Sequence, residues 1–102
     1  MKKLLLYSIL SLLLPLFSIA NDCDYVMDDQ KMDIVTKHMK RKADDVLKMN
    51  TIKAYLQRLC INTNQMLTIM EIFESEEAQN QFLIYSQEYI VDIENYNELI
   101  NN

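Results

Sequence analysis

Residues 62–89 read NTNQMLTIMEIFESEEAQNQFLIYSQEY, and this stretch decides the fold. Apolar side chains fall at Met66, Ile69, Met70 and Phe73, then at Ala78, Phe82, Tyr85 and Tyr89. Gaps of three or four return each set to one face of an α-helix. Between the sets stands Ser75, followed by Glu76 and Glu77. A serine hydroxyl can accept from the free amides of a first helical turn, and acids beside it meet the positive end of the helix dipole, so Ser75 should open the second helix. Asn62, with Gln65 three positions later, has the form of a capping box and should open the first.

The same period continues on both sides. Upstream, Ile52, Tyr55, Leu56, Leu59 and Cys60 form one stripe, with Asn50 as its expected cap. Before it, Met32, Val35, Met39, Ala43 and Val46 fit a helix from about Tyr25 to Leu47, either separate from the next or continuous with it as one bent rod. Downstream, Asp92 is the expected cap of Ile93, Tyr96, Leu99 and Ile100, a short fifth segment expected to fray at Asn101 and Asn102. Glycine is absent and the only proline is Pro15, so hairpin and tight-turn chemistry is missing and an all-β fold is nearly excluded. Without glycine for left-handed caps, Asn50 and Asn62 are also the candidates for ending the preceding helices. The expectation is an all-α fold, a small compact bundle of four to five helices.

The N-terminus reads differently. Lys2 and Lys3 precede an apolar run from Leu4 to Phe17, closed by Ser18, Ile19 and Ala20, which is the layout of a secretory signal peptide. That run is shorter than the roughly 20 apolar residues a spanning helix needs, so cleavage after Ala20 is expected rather than retention as an anchor. Asp22 before Cys23 argues against a lipidated cysteine. The division is therefore a signal peptide at 1–20 and a single helical domain at 21–102, with no membrane span in the mature protein and a periplasmic or secreted location.

Charge restricts the partners. The chain carries −5, and the signal removes two lysines and no acid, leaving −7 on the mature part. Nucleic acid is not expected to bind such a domain. Residues 59–102 hold eight acids and no Lys or Arg, whereas residues 21–58 are nearly neutral. Export also places Cys23 and Cys60, the only two cysteines, in an oxidising compartment, where they are expected to pair.

From Leu47 onward the chain resembles the domain of unknown function 4476 family, found chiefly in exported proteins of Bacteroidota-type bacteria. The resemblance spans about residues 47–100 and rests on Cys60, Thr63 and Gln65, then Ile69 and Phe73, then Asp92, Asn95, Tyr96 and Leu99. It implies a compact helical domain outside the cytoplasm and no established activity, substrate or cofactor. A basic residue that the family commonly carries early in the helix after the Phe is replaced here by Gln79, Asn80 and Gln81 ahead of Phe82.

Residue by residue, catalysis finds little support. His38 is the only imidazole, and it lies in the cationic run Lys37 to Lys42, which reads as a solvated surface. Asp33 stands four before Lys37, and Asp44 and Asp45 stand four after Lys40 and Arg41, suiting ion pairs along an exposed helix. Met66 and Met70 could offer thioethers to copper, but both sit on an apolar stripe and read as core filler. Glu71, Glu74, Glu76 and Glu77 bunch without a glycine-containing calcium loop. No cofactor or metal is expected, and no enzyme activity. The expected role is a noncatalytic exported protein-interaction module that meets a basic partner through Glu74, Glu76, Glu77, Tyr85, Tyr89, Asp92, Asn95 and Tyr96. The alternative is a small acidic inhibitor or immunity-like protein that masks a basic exported enzyme.

Overall fold

The computed structural model describes Cys23 and residues 25–101; the expected signal peptide and its cleavage site lie outside the described residues. Five α-helices follow in order: α1 Asp29–Lys40, α2 Asp45–Leu56, α3 Thr63–Met70, α4 Glu76–Ser86 and α5 Ile93–Asn101, with a single 3₁₀ turn at Gln87–Tyr89 after α4. Within the described residues there is no strand of a sheet, and the fold is all-α as the periodicity implies.

The first helix expected at Tyr25–Leu47 is two helices. Asp28, not Tyr25, opens α1 by accepting the Lys31 N–H at 2.7 Å. Asp44 then accepts the Leu47 N–H at 2.9 Å and opens α2, so the chain turns at residues 41–44 and Asn50 is an exposed residue inside α2 rather than a cap. Apolar spacing carried the pattern across this break because Met32, Val35 and Met39 do face inward. Ala43 and Val46, counted on the same stripe, are exposed. Asn62 and Gln65 form the reciprocal capping box, and Ser75 accepts the Ala78 N–H at 3.1 Å, both as expected. No described residue has positive φ, and the helices end on right-handed caps such as Arg41, Gln57 and Glu71. Asn50 and Asn62 end no helix.

Each pair of helices is closed on itself by one residue of extended backbone. Val26, just before α1, makes a parallel bridge with Cys60, just after α2; Ile61, just before α3, makes another with Ile90, just after the 3₁₀ turn. Four backbone bonds of 2.8–2.9 Å form these bridges: Met27 N–H to Cys60 C=O, Cys60 N–H to Tyr25 C=O, Ile61 N–H to Tyr89 C=O and Val91 N–H to Ile61 C=O. Bringing the start of one helix to the end of the next makes α1/α2 and α3/α4 antiparallel pairs. The starts of α1, α3 and α5 therefore gather at one end. Gln65 ties two of them by donating from Nε2 to Met27 C=O at 2.7 Å.

A disulfide joins Cys23 to Cys60, with Cα atoms 6.1 Å apart, across the same end. Val35 and Met39, Ile52 and Leu56, Met66 and Ile69, Phe82 and Tyr96 fill the core from the five helices, with Ile61, Phe73 and Ile90 from the connections. Phe73 and Phe82 pack with ring centroids 5.5 Å apart, a tilted pair of the kind that adds about 0.5–1.5 kcal/mol to the burial itself.

Candidate functional site

Helices α2 and α4 lie side by side and run the same way. At their starts, the two carboxylate oxygens of Asp45 accept the N–H groups of Glu74 and Ser75, each at 2.9 Å. Towards their ends, the Lys53 ammonium sits 4.8 Å from the centroid of the Tyr85 ring. The backbone bond from Glu74, joined by those from Ser75 and by nearby Lys48, holds the Asp45 carboxyl below its ordinary range despite burial. Lys48 is itself buried, and its Nζ donates to Ile72 C=O at 3.0 Å while approaching Glu74 at 3.7 Å and Asp45 at 4.0 Å. Together Asp45 and Lys48 fix the turn at residues 71–75 against α2. Asp45 thus has its partner in that turn, and the ion pair expected between it and Arg41 is not formed; Asp44 is likewise taken up as a cap. Asp33 and Lys37 do pair, at 3.0 Å on an exposed face.

Between the two helices runs a groove of about 360 Å³. Val46, Met49 and Ala78 give it an apolar floor, Asn50 and Gln81 are its polar members, and its two charged residues, Asp45 and Glu77, are both carboxylates. Val46 is 68% exposed and Ile84 71% exposed. Glu77, Gln81 and Ile84 succeed one another at helical spacing, so Ile84 extends the groove's α4 wall by one turn. Val46 in the groove and Ile84 one turn beyond it add exposed apolar surface to this face.

The expected contact residues divide over this framework. Glu76 and Glu77 are exposed in the first turn of α4, and Glu77 lines the groove. Glu74 is exposed beside Lys48. Tyr85 and Tyr89 stack one turn apart with centroids at 5.3 Å and hydroxyls 3.5 Å apart, both half-buried at the far end of the α2/α4 face. Burial, and then the Tyr89 hydroxyl, push the Tyr85 phenol up to about 12. Asp92, Asn95 and Tyr96 lie elsewhere, where α5 meets α3 and α4. Asp92 Oδ1 accepts from Thr63 N–H at 2.8 Å and Thr63 Oγ at 3.0 Å, and Asp92 Oδ2 accepts from Asn95 Nδ2 at 3.0 Å. Burial alone would raise the Asp92 carboxyl, but the bonds from Asn95 and Thr63 outweigh it and hold it below the ordinary carboxylate range. Tyr96 is 1% exposed and its hydroxyl donates to Leu83 C=O at 2.6 Å, so it packs α5 onto α4 and presents no surface to a partner, contrary to expectation.

Sequence reasoning missed Asp45 and Lys48 as the joint between the helix pairs. Their partners are backbone groups 24–30 positions away, which no spacing rule reports. It also placed His38 on the open surface, whereas the ring is half-buried with Nδ1 3.1 Å from the Tyr55 hydroxyl. Met66 is buried and Met70 packs against the core, so these thioethers serve as filler. Among the described residues, no three His, Cys, Asp or Glu side chains converge as a metal set would. No described helix is long and apolar enough to cross a membrane.

Fold and face together define a small disulfide-closed domain of stacked helix pairs. The chain belongs to the family described as a domain of unknown function (DUF4476), whose sequence model matches residues 26–102. The match begins well before Leu47, at the residue whose bridge to Cys60 closes the first helix pair, so the family includes that pair as well. No curated protein and no solved structure matches the chain.

Proposed function

We propose that this protein is a noncatalytic, exported interaction module whose α2/α4 face receives an amphipathic segment of a basic partner protein. The observation that supports the reading is the groove itself: among its described lining residues Val46, Met49 and Ala78 are apolar and the charged members, Asp45 and Glu77, are carboxylates, with the exposed Ile84 one helical turn beyond and Lys53 the cation towards that end. Helical segments dock in grooves of this composition through apolar anchors one and two turns apart, with charge selecting the partner. Glu76, beside Glu77 in the first turn of α4, adds a further negative charge near the rim. Export is supported by the layout of residues 2–20 and agrees with a disulfide between the only two cysteines. Mass spectrometry of the exported protein should find Asn21 as its first residue; a form that still carries Leu4–Phe17 would remove the soluble-module reading.

The docking face is tested by crosslinking in the native cell envelope, with wild type beside a Val46→Asp/Ile84→Asp variant. Both positions are exposed, so the variant should fold and melt like wild type. The expected result is a partner whose crosslinked segment is basic and amphipathic, and whose capture the variant loses. Equal capture by both proteins, or a crosslinked segment that is acidic, would overturn the reading. If the captured partner is a basic hydrolase whose turnover stops on binding, the module acts as its inhibitor through this same face.

A further inference from the structure

On the α1/α2 side a recess of about 350 Å³ is lined by Ile34, Lys37, His38, Arg41 and Tyr55. None of its described lining residues is a carboxylate, and the two that carry a permanent charge are positive. His38 and Tyr55 meet edge-on, with ring planes at 88° and Nδ1 3.1 Å from the phenol oxygen. A hydrogen bond between these atoms leaves one donor unused whichever way it runs. If the phenol donates to Nδ1, the imidazole carries its proton on Nε2; if Nδ1–H donates to the phenol, the phenol proton is free to point elsewhere. Arg41 is exposed and has no salt-bridge partner among the described residues, while Lys37 is shared with Asp33. The helix dipole accounts for basic side chains at the end of α1, where Lys37 and His38 stand in the last turn and Arg41 is the cap; it does not require that two of these cations, a hydrogen-bonded donor pair and the apolar Ile34 line one recess.

We propose that this recess binds the phosphate group of a small phosphate ester, with Arg41 as the bidentate contact, the His38–Tyr55 pair supplying a further donor, Lys37 adding charge and Ile34 meeting the apolar part of the ligand. A tetrahedral dianion accepts from several directions and balances two positive side chains, and the guanidinium fork suits its oxygen spacing. The volume lies within the range of small-ligand sites. This site is independent of the α2/α4 face and can fail without it.

The experiment is a two-dimensional NMR titration of the oxidised protein with inorganic phosphate, referenced to chloride at equal ionic strength. Signals of Ile34, His38, Arg41 and Tyr55 should shift saturably with phosphate alone. Arg41→Gln should weaken the apparent affinity at least about tenfold, the loss of one charge-assisted contact, with the rest of the spectrum unchanged. Lys42→Gln, one residue further on and outside the recess, should leave the affinity within about twofold, since it removes only screened long-range charge. Equal weakening by the two variants, identical shifts with chloride, or tighter binding of glucuronate than of phosphate would each overturn the proposal. Flotation with phosphatidylglycerol vesicles separates the sources of phosphate: flotation lost in Arg41→Gln assigns a lipid headgroup, and saturable phosphate binding without flotation assigns a soluble ester.

Discussion

Asp92 Oδ1 accepts both the backbone N–H and the hydroxyl of Thr63, at 2.8 Å and 3.0 Å, and so joins the start of α5 to the start of α3 across 29 positions of sequence. Thr63 is buried, and this carboxylate satisfies its amide within α3's first turn. Asp92→Ala should therefore destabilise by about 1–3 kcal/mol, because a buried donor left without a partner loses its hydration with nothing in return. Urea unfolding of the oxidised protein measures this. A change within a few tenths of a kcal/mol would mean that water replaces the carboxylate at no cost.

Acid should loosen the same joints. Asp45 and Asp92 both have carboxyls held below the ordinary value by donors that exist only in the folded chain. A group with a depressed folded pKa stabilises above its unfolded pKa, near 3.9 for Asp, and that stability is lost as pH falls through the folded value. Thermal midpoints should accordingly fall as pH drops below about 4. The Asp45→Asn/Asp92→Asn variant should be less stable at neutral pH and show a shallower loss in acid. Parallel curves for the two proteins would assign acid sensitivity to other groups.

The disulfide should matter more than any single hydrogen bond. It closes a separation of 37 residues, from Cys23 to Cys60, for which the chain-entropy model gives about 4 kcal/mol and observed effects range from about 0 to 5. It also anchors the segment carrying Val26, whose bridge to Cys60 aligns α1 with the end of α2. Cys23→Ser/Cys60→Ser should unfold at much lower urea than wild type, and wild type unfolded without reductant should label at no cysteine. Two labelled cysteines in that form would sink the disulfide.

What the sequence made legible follows from range. Helix starts at Asn62 and Ser75 were readable because their hydrogen bonds close within three residues, and the inward faces of Ile52, Met66 and Phe82 were readable because the period is local. The break at residues 41–44 was not. Asp44 caps α2 from within a run whose apolar positions stay in phase on both sides, and a cap that conflicts with an unbroken period is easily read as an ion-pairing surface acid. Tyr96 failed for a different reason: tyrosine suits both a core with a polar edge and a contact surface, and only the position of Leu83 C=O, 2.6 Å away, decides between them. On the candidate face, the acids were legible by composition, whereas the groove depends on α2 lying beside α4, which Asp45 and Lys48 set through distant backbone groups.

That geometry separates two contributions at the proposed docking face. Glu76 and Glu77 are exposed in the first turn of α4, so their attraction for a basic segment acts mainly before contact, over a screening length of about 8 Å at physiological salt. Glu74 belongs to the Lys48 joint and is left intact in the test. Glu76→Gln/Glu77→Gln keeps size and most hydrogen bonding, and should slow association with the captured partner at low salt by roughly threefold to tenfold while changing dissociation little. The difference from wild type should shrink as salt rises. Val46→Asp/Ile84→Asp should do the reverse, speeding dissociation because apolar anchors act after contact. Surface plasmon resonance from low to high salt, with wild type and both variants, measures the association and dissociation rates. If the glutamine variant binds at wild-type speed at every salt concentration, the acidic rim serves solubility and the partner's specificity must come from the groove floor.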